Sequence, residues 1–164
     1  AFAAAIGGLG YGAITKTAVQ WPSRAWRAGY PTTDGRVQRV YEPTIDQPGE
    51  QGILMSYCGG DGGREWAGLD EPDRLRLARE GMDGLHGLGA APVAGVSRAW
   101  SAVEGFEGAY AVYRPGEVTA YWDVLRQPWE SVHLAGEHVA TCTGYMEGAL
   151  ESGDTVAARL LGSD

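Results

Sequence analysis

The sequence predicts a mixed α+β fold, on three observations. Short stretches with alternating apolar residues recur between Pro and Gly breaks. Two longer stretches carry apolar residues at helical spacing. Gly-rich or Pro-containing connections separate these pieces, and no internal repeat or long low-complexity segment runs through the chain.

The opening AFAAAIGGLG is apolar but has no basic n-region, so it does not read as a signal peptide. Residues 13–21 (AITKTAVQW) alternate as a strand that ends at Pro22. Tyr30-Pro31 opens a turn-rich link, and residues 36–42 (RVQRVYE) read as a second strand before Pro43. TIDQPGEQG is a turn. ILMSYC is a third strand, expected to be more buried because it lacks alternation. GGDGGRE reads as a flexible loop. Residues 70–86 form the clearest helix. Asp70 can cap it, and Pro72 falls in the first turn, where its missing N–H costs nothing. Leu75, Leu77, Ala78, Met82, Leu85 and His86 give it an apolar stripe, weakened by Gly81 and Gly84. VAGVSRAW (93–100) is another strand, 117–125 fits a strand or a short helix, and SVHLAG is a short buried strand. The last helix runs from about Gly144 to Leu161, with Met146, Ala149, Leu150, Val156, Ala157 and Leu160 on its apolar side.

Length and composition bound the function. The 164 residues suffice for one domain, and 44% hydrophobic residues with six Trp and eight Tyr exclude wholesale disorder. No apolar run reaches the roughly 18 residues that a membrane span needs. A net charge of -8 gives no electrostatic footprint for nucleic acid. Twelve of the 13 basic residues are Arg, Lys16 is the single Lys, and Asn is absent. That bias points to a GC-rich genome. Cys58 and Cys142 do not make a disulfide framework and read as free thiols. A chain that starts on Ala in mid-pattern suggests a processed product or a fragment.

Several short motifs in the chain also fit plainer structure. Gly8-Leu9-Gly10-Tyr11-Gly12-Ala13 satisfies G-x-G-x-x-A, but β-like residues follow it where a dinucleotide fingerprint needs a helix, so it reads as a Gly-rich turn. His86, His133 and His138 lack metal-ligand spacing with any Cys or carboxylate. No Ser sits in a G-x-S-x-G elbow. In VHLAGEHVATCTGYMEGA (132–149), a carboxylate follows an apolar stretch and a helix begins near Gly144. Such a carboxylate can accept from a ribose or ribityl hydroxyl, and the helix start offers N–H groups to an electron-rich ring. An ordinary strand-loop-helix fits this spacing equally well.

The run from Gly108 to Leu161, with "VLRQP", "AGEH" and "GYMEGA…SG" in that order and spacing, closely resembles the C-terminal flavin-binding region of FAD-dependent amine oxidases. Monoamine oxidases and bacterial L-amino acid oxidases belong to that family. Trp100, nine residues before Ala109, resembles the family's flavin-contacting Trp. "YGAITK" resembles the strand whose Lys holds a water near flavin N5, which makes Lys16 its match. The resemblance spans nearly the whole chain and is tightest after residue 98.

This resemblance implies the C-terminal part of a two-domain flavin amine oxidase fold. Residues 1–8 would end one pass through the FAD-binding, Rossmann-like domain. Residues 9–102 would belong to the mixed sheet of the substrate domain, and residues 103–164 would return to the FAD domain. Tyr110 and Tyr145 resemble the aromatic pair that guides the amine, a slot for an uncharged nitrogen. Glu137, following Gly136, resembles the carboxylate that holds the ribityl or phosphate end of FAD. Gly144, Tyr145 and Met146 resemble the helix entry facing the flavin pyrimidine, where N–H donors stabilise negative charge. No metal is implied.

Two departures refine the expectation. Ala109 stands where some members carry the Cys that bonds the flavin, so FAD is expected to be non-covalent. Tyr145 stands where many L-amino acid oxidases carry Trp, which tilts the substrate toward an amine. The implied reaction is hydride transfer from a primary or secondary amine to flavin, giving an imine, with O2 reoxidation to H2O2. L-amino acid oxidation by a processed multi-chain enzyme, an unusual oxidation or desaturation in bacterial secondary metabolism, and a non-enzymatic interaction fragment are the alternatives. The implied partners are the N-terminal portion of the same enzyme, a small amine or amino acid, O2 and further copies in a homo-oligomer. The expected location is cytoplasmic, or secreted for a processed oxidase.

Overall fold

The structure is a computed structural model that describes residues 1–27 and 29–162. Position 28 and the last two positions of the expected C-terminal segment, 163 and 164, lie outside the described residues. The fold mixes helix and sheet, as the sequence predicts, in two compact units. One unit joins residues 1–12 to the segment from Tyr110 onward, and the other comprises Ala13–Ala109.

The Ala13–Ala109 unit is built on a four-stranded antiparallel sheet. Its strands are β2 (Ile14–Trp21), β3 (Arg39–Tyr41), β4 (Gly52–Gly59) and β5 (Ala94–Ala99), in spatial order β3-β4-β2-β5. β2 and β4 pair along their whole length. One face of the sheet is dry: Val19, Trp21, Leu54 and Cys58 pack with Val37, Val40, Trp66, Ala78 and Met82. β4 alternates buried and half-buried residues throughout, although its sequence lacks the alternation that marks such a strand. Its apolar run misleads because Ile53, Met55 and Tyr57 are apolar yet lie on the half-buried face.

The expected flexible loop at 59–65 is a helix, α2 (Gly60–Ala67). Trp66, 1% exposed, anchors it in the core. Its glycines permit contact rather than flexibility: a Cβ at Gly63 would lie 2.4 Å from the Ala13 carbonyl oxygen. The Thr15 hydroxyl donates to the Gly63 carbonyl at 3.0 Å. α3 (Glu71–His86) follows the expected bounds, capped by an Asp70 carboxylate that accepts from Asp73 N–H at 2.8 Å. It ends at Gly87 in the left-handed conformation, φ 63°. Gly81 lets α3 approach the turn that precedes β3, since a Cβ there would meet Val37 at 2.4 Å. Leu85, expected in the apolar stripe, is exposed.

In the other unit, α1 (Phe2–Gly8) leads into β1 (Gly10–Tyr11), which pairs antiparallel with β6 (Ala111–Val112). α4 (Glu117–Arg126) resolves the ambiguous stretch as helix. Ala5, Leu125 and Val139 form the core here, with Leu9, Tyr121, Val124 and Leu134 around it. SVHLAG is not a buried strand: Ser131 lies in a turn, Val132 is exposed, and its one bridge joins Trp129 to Val132. Among the described residues no neighbouring strand offers it a ladder.

The last helix, α5 (Met146–Leu161), starts two residues after the expected Gly144. Its expected apolar side is mostly exposed: Met146, Leu150 and Leu160 are 86%, 66% and 64% accessible. The buried positions are instead the small residues Gly148 and Ser152. Helical spacing identified the element, while the facing chain selects the buried stripe by close approach.

Candidate functional site

The opening glycines are contact points within the first unit. A Cβ at Gly8 would meet the Tyr121 hydroxyl at 2.4 Å, and one at Gly10 would meet the Val112 carbonyl oxygen at 2.4 Å. Gly12 N–H donates to the Tyr110 carbonyl at 2.8 Å. The G-x-G-x-x-A run therefore joins the start of the chain to the segment carrying Tyr110, in keeping with a glycine turn and not a dinucleotide fingerprint.

Glu137 begins a single 3₁₀ turn, Glu137–Val139, just after Gly136. Gly136 has φ +149°, and a Cβ there would lie 2.5 Å from His138 Cε1, so the position demands glycine. Ser152 of α5 fastens this turn. Its hydroxyl accepts from Gly136 N–H at 2.8 Å and lies 2.9 Å from the Gly136 carbonyl oxygen. The Glu137 carboxylate reaches two separate backbone groups. Oε1 accepts from Ala111 N–H at 2.8 Å, and Oε2 accepts from Gly144 N–H at 2.6 Å. The Tyr113 hydroxyl donates to the His138 carbonyl at 2.6 Å. Burial pushes the Tyr113 phenol up from its ordinary pKa, and the charges of Glu137 and Glu117 add to that.

Tyr110, Glu137 and Gly144 are thus brought together from three places in the sequence. A Cβ at Gly144, φ +79°, would stand 4.0 Å from Cγ and Cδ2 of Tyr110. Tyr145 and Met146 follow at once and are 67% and 86% exposed. Tyr145 is the N-cap residue of α5, and no side chain caps that helix. The first-turn N–H groups are donors for an electron-rich group, which fits the cofactor that the resemblance implies. Ser152 lay inside the matched sequence pattern without a role. Only its burial and double contact with Gly136 reveal what it holds.

Lys16 and Trp100 belong to the Ala13–Ala109 unit. Lys16 is half-buried on β2, with Nζ 5.2 Å from the Tyr57 ring centroid. It stands in a cross-strand row, Arg39–Tyr57–Lys16–Arg98, on one side of the sheet. Trp100 follows β5 directly and lies 5.3 Å from the Phe106 ring. Ala109 is half-buried and has no reactive side chain. Among the described residues, no three His, Cys, Asp or Glu gather into a metal-binding group. No described helix is long and apolar enough to cross a membrane.

A family model described as flavin containing amine oxidoreductase matches residues 1–161. The chain belongs to that family. Flavin amine oxidoreductases with different names are similar to it in sequence. Human amine oxidase [flavin-containing] B is 31% identical over 163 residues, covering 92% of this chain and 31% of that protein. The mouse L-amino-acid oxidase is 29% identical over 150 residues, covering 85% and 22%. The solved structure of cyclohexylamine oxidase from Brevibacterium oxydans IH-35A aligns at a TM-score of 0.79 and 23% identity, over 93% of this chain and 35% of that one. That likeness shows a shared fold. The chain spans about a third of the length of human amine oxidase B and of this structure.

Proposed function

We propose that this chain is the C-terminal portion of an FAD-dependent oxidase that converts a primary or secondary amine to an imine, with O2 as electron acceptor and H2O2 as product. Residues 1–8 and 103–164 are assigned to its FAD-binding domain, and residues 9–102 to its substrate domain. The N-terminal portion of the enzyme completes the site, and the working form is a homo-oligomer. When bound, FAD supplies the acceptor for the hydride leaving the amine-bearing carbon and passes the electrons to O2.

The protein's part is binding, orientation and electrostatics. Glu137, the Gly136 turn and Trp100 hold the cofactor. Gly144 leads into the uncapped start of α5, where Tyr145 and Met146 begin the turn that offers the cofactor N–H donors. Tyr110 and Tyr145 flank the amine and keep its nitrogen uncharged in an apolar slot. Lys16 holds a water; a compact ammonium suits that task better than a planar guanidinium. Ala109 leaves the cofactor non-covalent. The observation that carries this reading is the meeting of Tyr110, Glu137 and Gly144 in a chain matched to the family from residue 1 to 161.

A second reading, oxidation of an L-amino acid, is supported by the similarity to the mouse L-amino-acid oxidase. H2O2 release is to be measured from the purified protein with simple amines, with L-amino acids and with buffer alone. Amine-dependent H2O2 is expected, and a preparation without flavin absorbance refutes both readings. Acid denaturation is expected to free all the flavin; flavin that stays with the polypeptide overturns the non-covalent assignment.

A further inference from the structure

We infer that Glu137 is a positioning residue for the two tyrosines, because its carboxylate clips the backbone beside Tyr110 to the backbone beside Tyr145. The inference rests on the reading of Tyr110 and Tyr145 as the pair that orients the amine. Ala111, whose N–H donates to Oε1, directly follows Tyr110. Gly144, whose N–H donates to Oε2, directly precedes Tyr145. The two segments are far apart in sequence, and one side chain spans both. The clip is itself held firmly. Ser152, 6% exposed, fixes Gly136 on one side of Glu137, and Ala140 N–H donates to the Glu137 carbonyl at 3.2 Å on the other.

The chemistry requires a carboxylate. Two backbone donors need two acceptor oxygens on one planar group. An amide offers one acceptor and turns its NH2 toward the second N–H, leaving that donor unpaired. Each carboxylate oxygen keeps a further lone pair, so contact with a cofactor hydroxyl is compatible with this role. The consequence is that Glu137 acts on turnover through the tyrosines in addition to its contact with the cofactor.

The test uses the full-length, flavin-loaded protein with Glu137→Gln, Tyr145→Ala and the double variant. Glu137→Gln is expected to lower kcat about tenfold with KM within about twofold, as for a lost alignment. The kcat is taken per bound flavin, from the flavin-to-protein absorbance ratio, which separates lost alignment from lost cofactor. Amide hydrogen exchange speeds up in peptides covering residues 110–113 and 142–146, where the clip is released. In the Tyr145→Ala background the same Glu137→Gln change lowers kcat less than about twofold, because residues acting as a unit are not additive. Glu137→Asp, whose shorter carboxylate reaches one N–H, gives an intermediate loss and serves where Glu137→Gln folds poorly. Equal loss in both backgrounds, flavin loss that accounts for all of the lost activity, or unchanged exchange overturns the inference while leaving the tyrosine pair standing. An unchanged kcat in Tyr145→Ala sinks the pair, and the inference with it.

Discussion

Helix α5 offers a sharp test because it carries two glycines with opposite surroundings. Gly148 is buried, and a Cβ added there would lie 2.1 Å from the Cys142 carbonyl oxygen and 2.9 Å from Ala140 Cβ. Gly153, five residues on, has nothing within 4 Å of an added Cβ. Alanine at either site gains about 1 kcal/mol of helix propensity, through the same loss of unfolded-state freedom. At Gly153 that gain stands alone. At Gly148 the main obstacle is a backbone carbonyl, which cannot swing aside like a side chain. The helix must move 0.9 Å to open that contact to 3.0 Å, the closest a Cβ approaches in practice. Forcing atoms into a packed site costs about 1–3 kcal/mol, and a clash with backbone sits at the upper end. Gly153→Ala is thus expected to stabilise by up to about 1 kcal/mol and Gly148→Ala to destabilise by about 1–2 kcal/mol. Urea unfolding of both variants beside the parent, followed by Trp fluorescence, measures the gap. Equal stability of the two variants refutes the claim that close approach, not apolar periodicity, decides which face of α5 is buried.

Four further outcomes follow, resting on Cys58, His86 and Asp70 of the Ala13–Ala109 unit. Burial pushes the Cys58 thiol from 9.0 up to about 12, so it stays protonated, while Cys142 is exposed; alkylation of the native protein at neutral pH is expected at Cys142 alone, and equal labelling of both contradicts this. The raised Cys58 pKa means that the folded state holds a proton the unfolded state has lost, so stability is full below pH 9.0 and falls between there and about pH 12. His86 is shifted the other way, below its ordinary 6.5, by burial, with the charge of Glu42 opposing; its contribution is present above pH 6.5 and is lost as pH falls through its folded pKa, so His86→Gln should flatten the acid limb of the stability curve. Asp70→Ala removes the cap on Asp73 N–H and is expected to cost about 1 kcal/mol by urea midpoint, a value that a null result would contradict.

Parts of this fold were legible because local chemistry states them. Asp70, Pro72 and Gly87 mark both ends of α3, and Pro22 closes β2. The regions that misled share one cause, which is contact that sequence spacing does not encode. GGDGGRE looks like a flexible loop until Trp66 is seen buried and Gly63 pressed against the Ala13 carbonyl. SVHLAG looks like a buried strand, yet a strand needs a neighbour, and the described residues provide none. The site divides in the same way. Tyr110, Glu137, Gly144 and Tyr145 were identified by resemblance, but only the fold makes Glu137 the link between two of those segments.

The glycines of the first unit connect these observations. Gly8, Gly10, Gly136 and Gly148 each stand where an added Cβ would meet another atom at 2.5 Å or less. Gly8 and Gly10 set the N-terminal segment against α4 and β6. Gly136 lets the Glu137 turn close on His138, and Gly148 sets the 140–142 segment against α5. A side chain at Gly148 would push back the segment leading into Gly144, whose N–H holds one Glu137 oxygen. Gly148→Ala should therefore weaken the Glu137–Gly144 bond as well as the helix packing. Faster amide exchange in the 142–146 peptide at a fixed urea concentration below unfolding is the expected mark. Unchanged exchange there, with the helix destabilised, would separate the packing of α5 from the alignment of the two tyrosines.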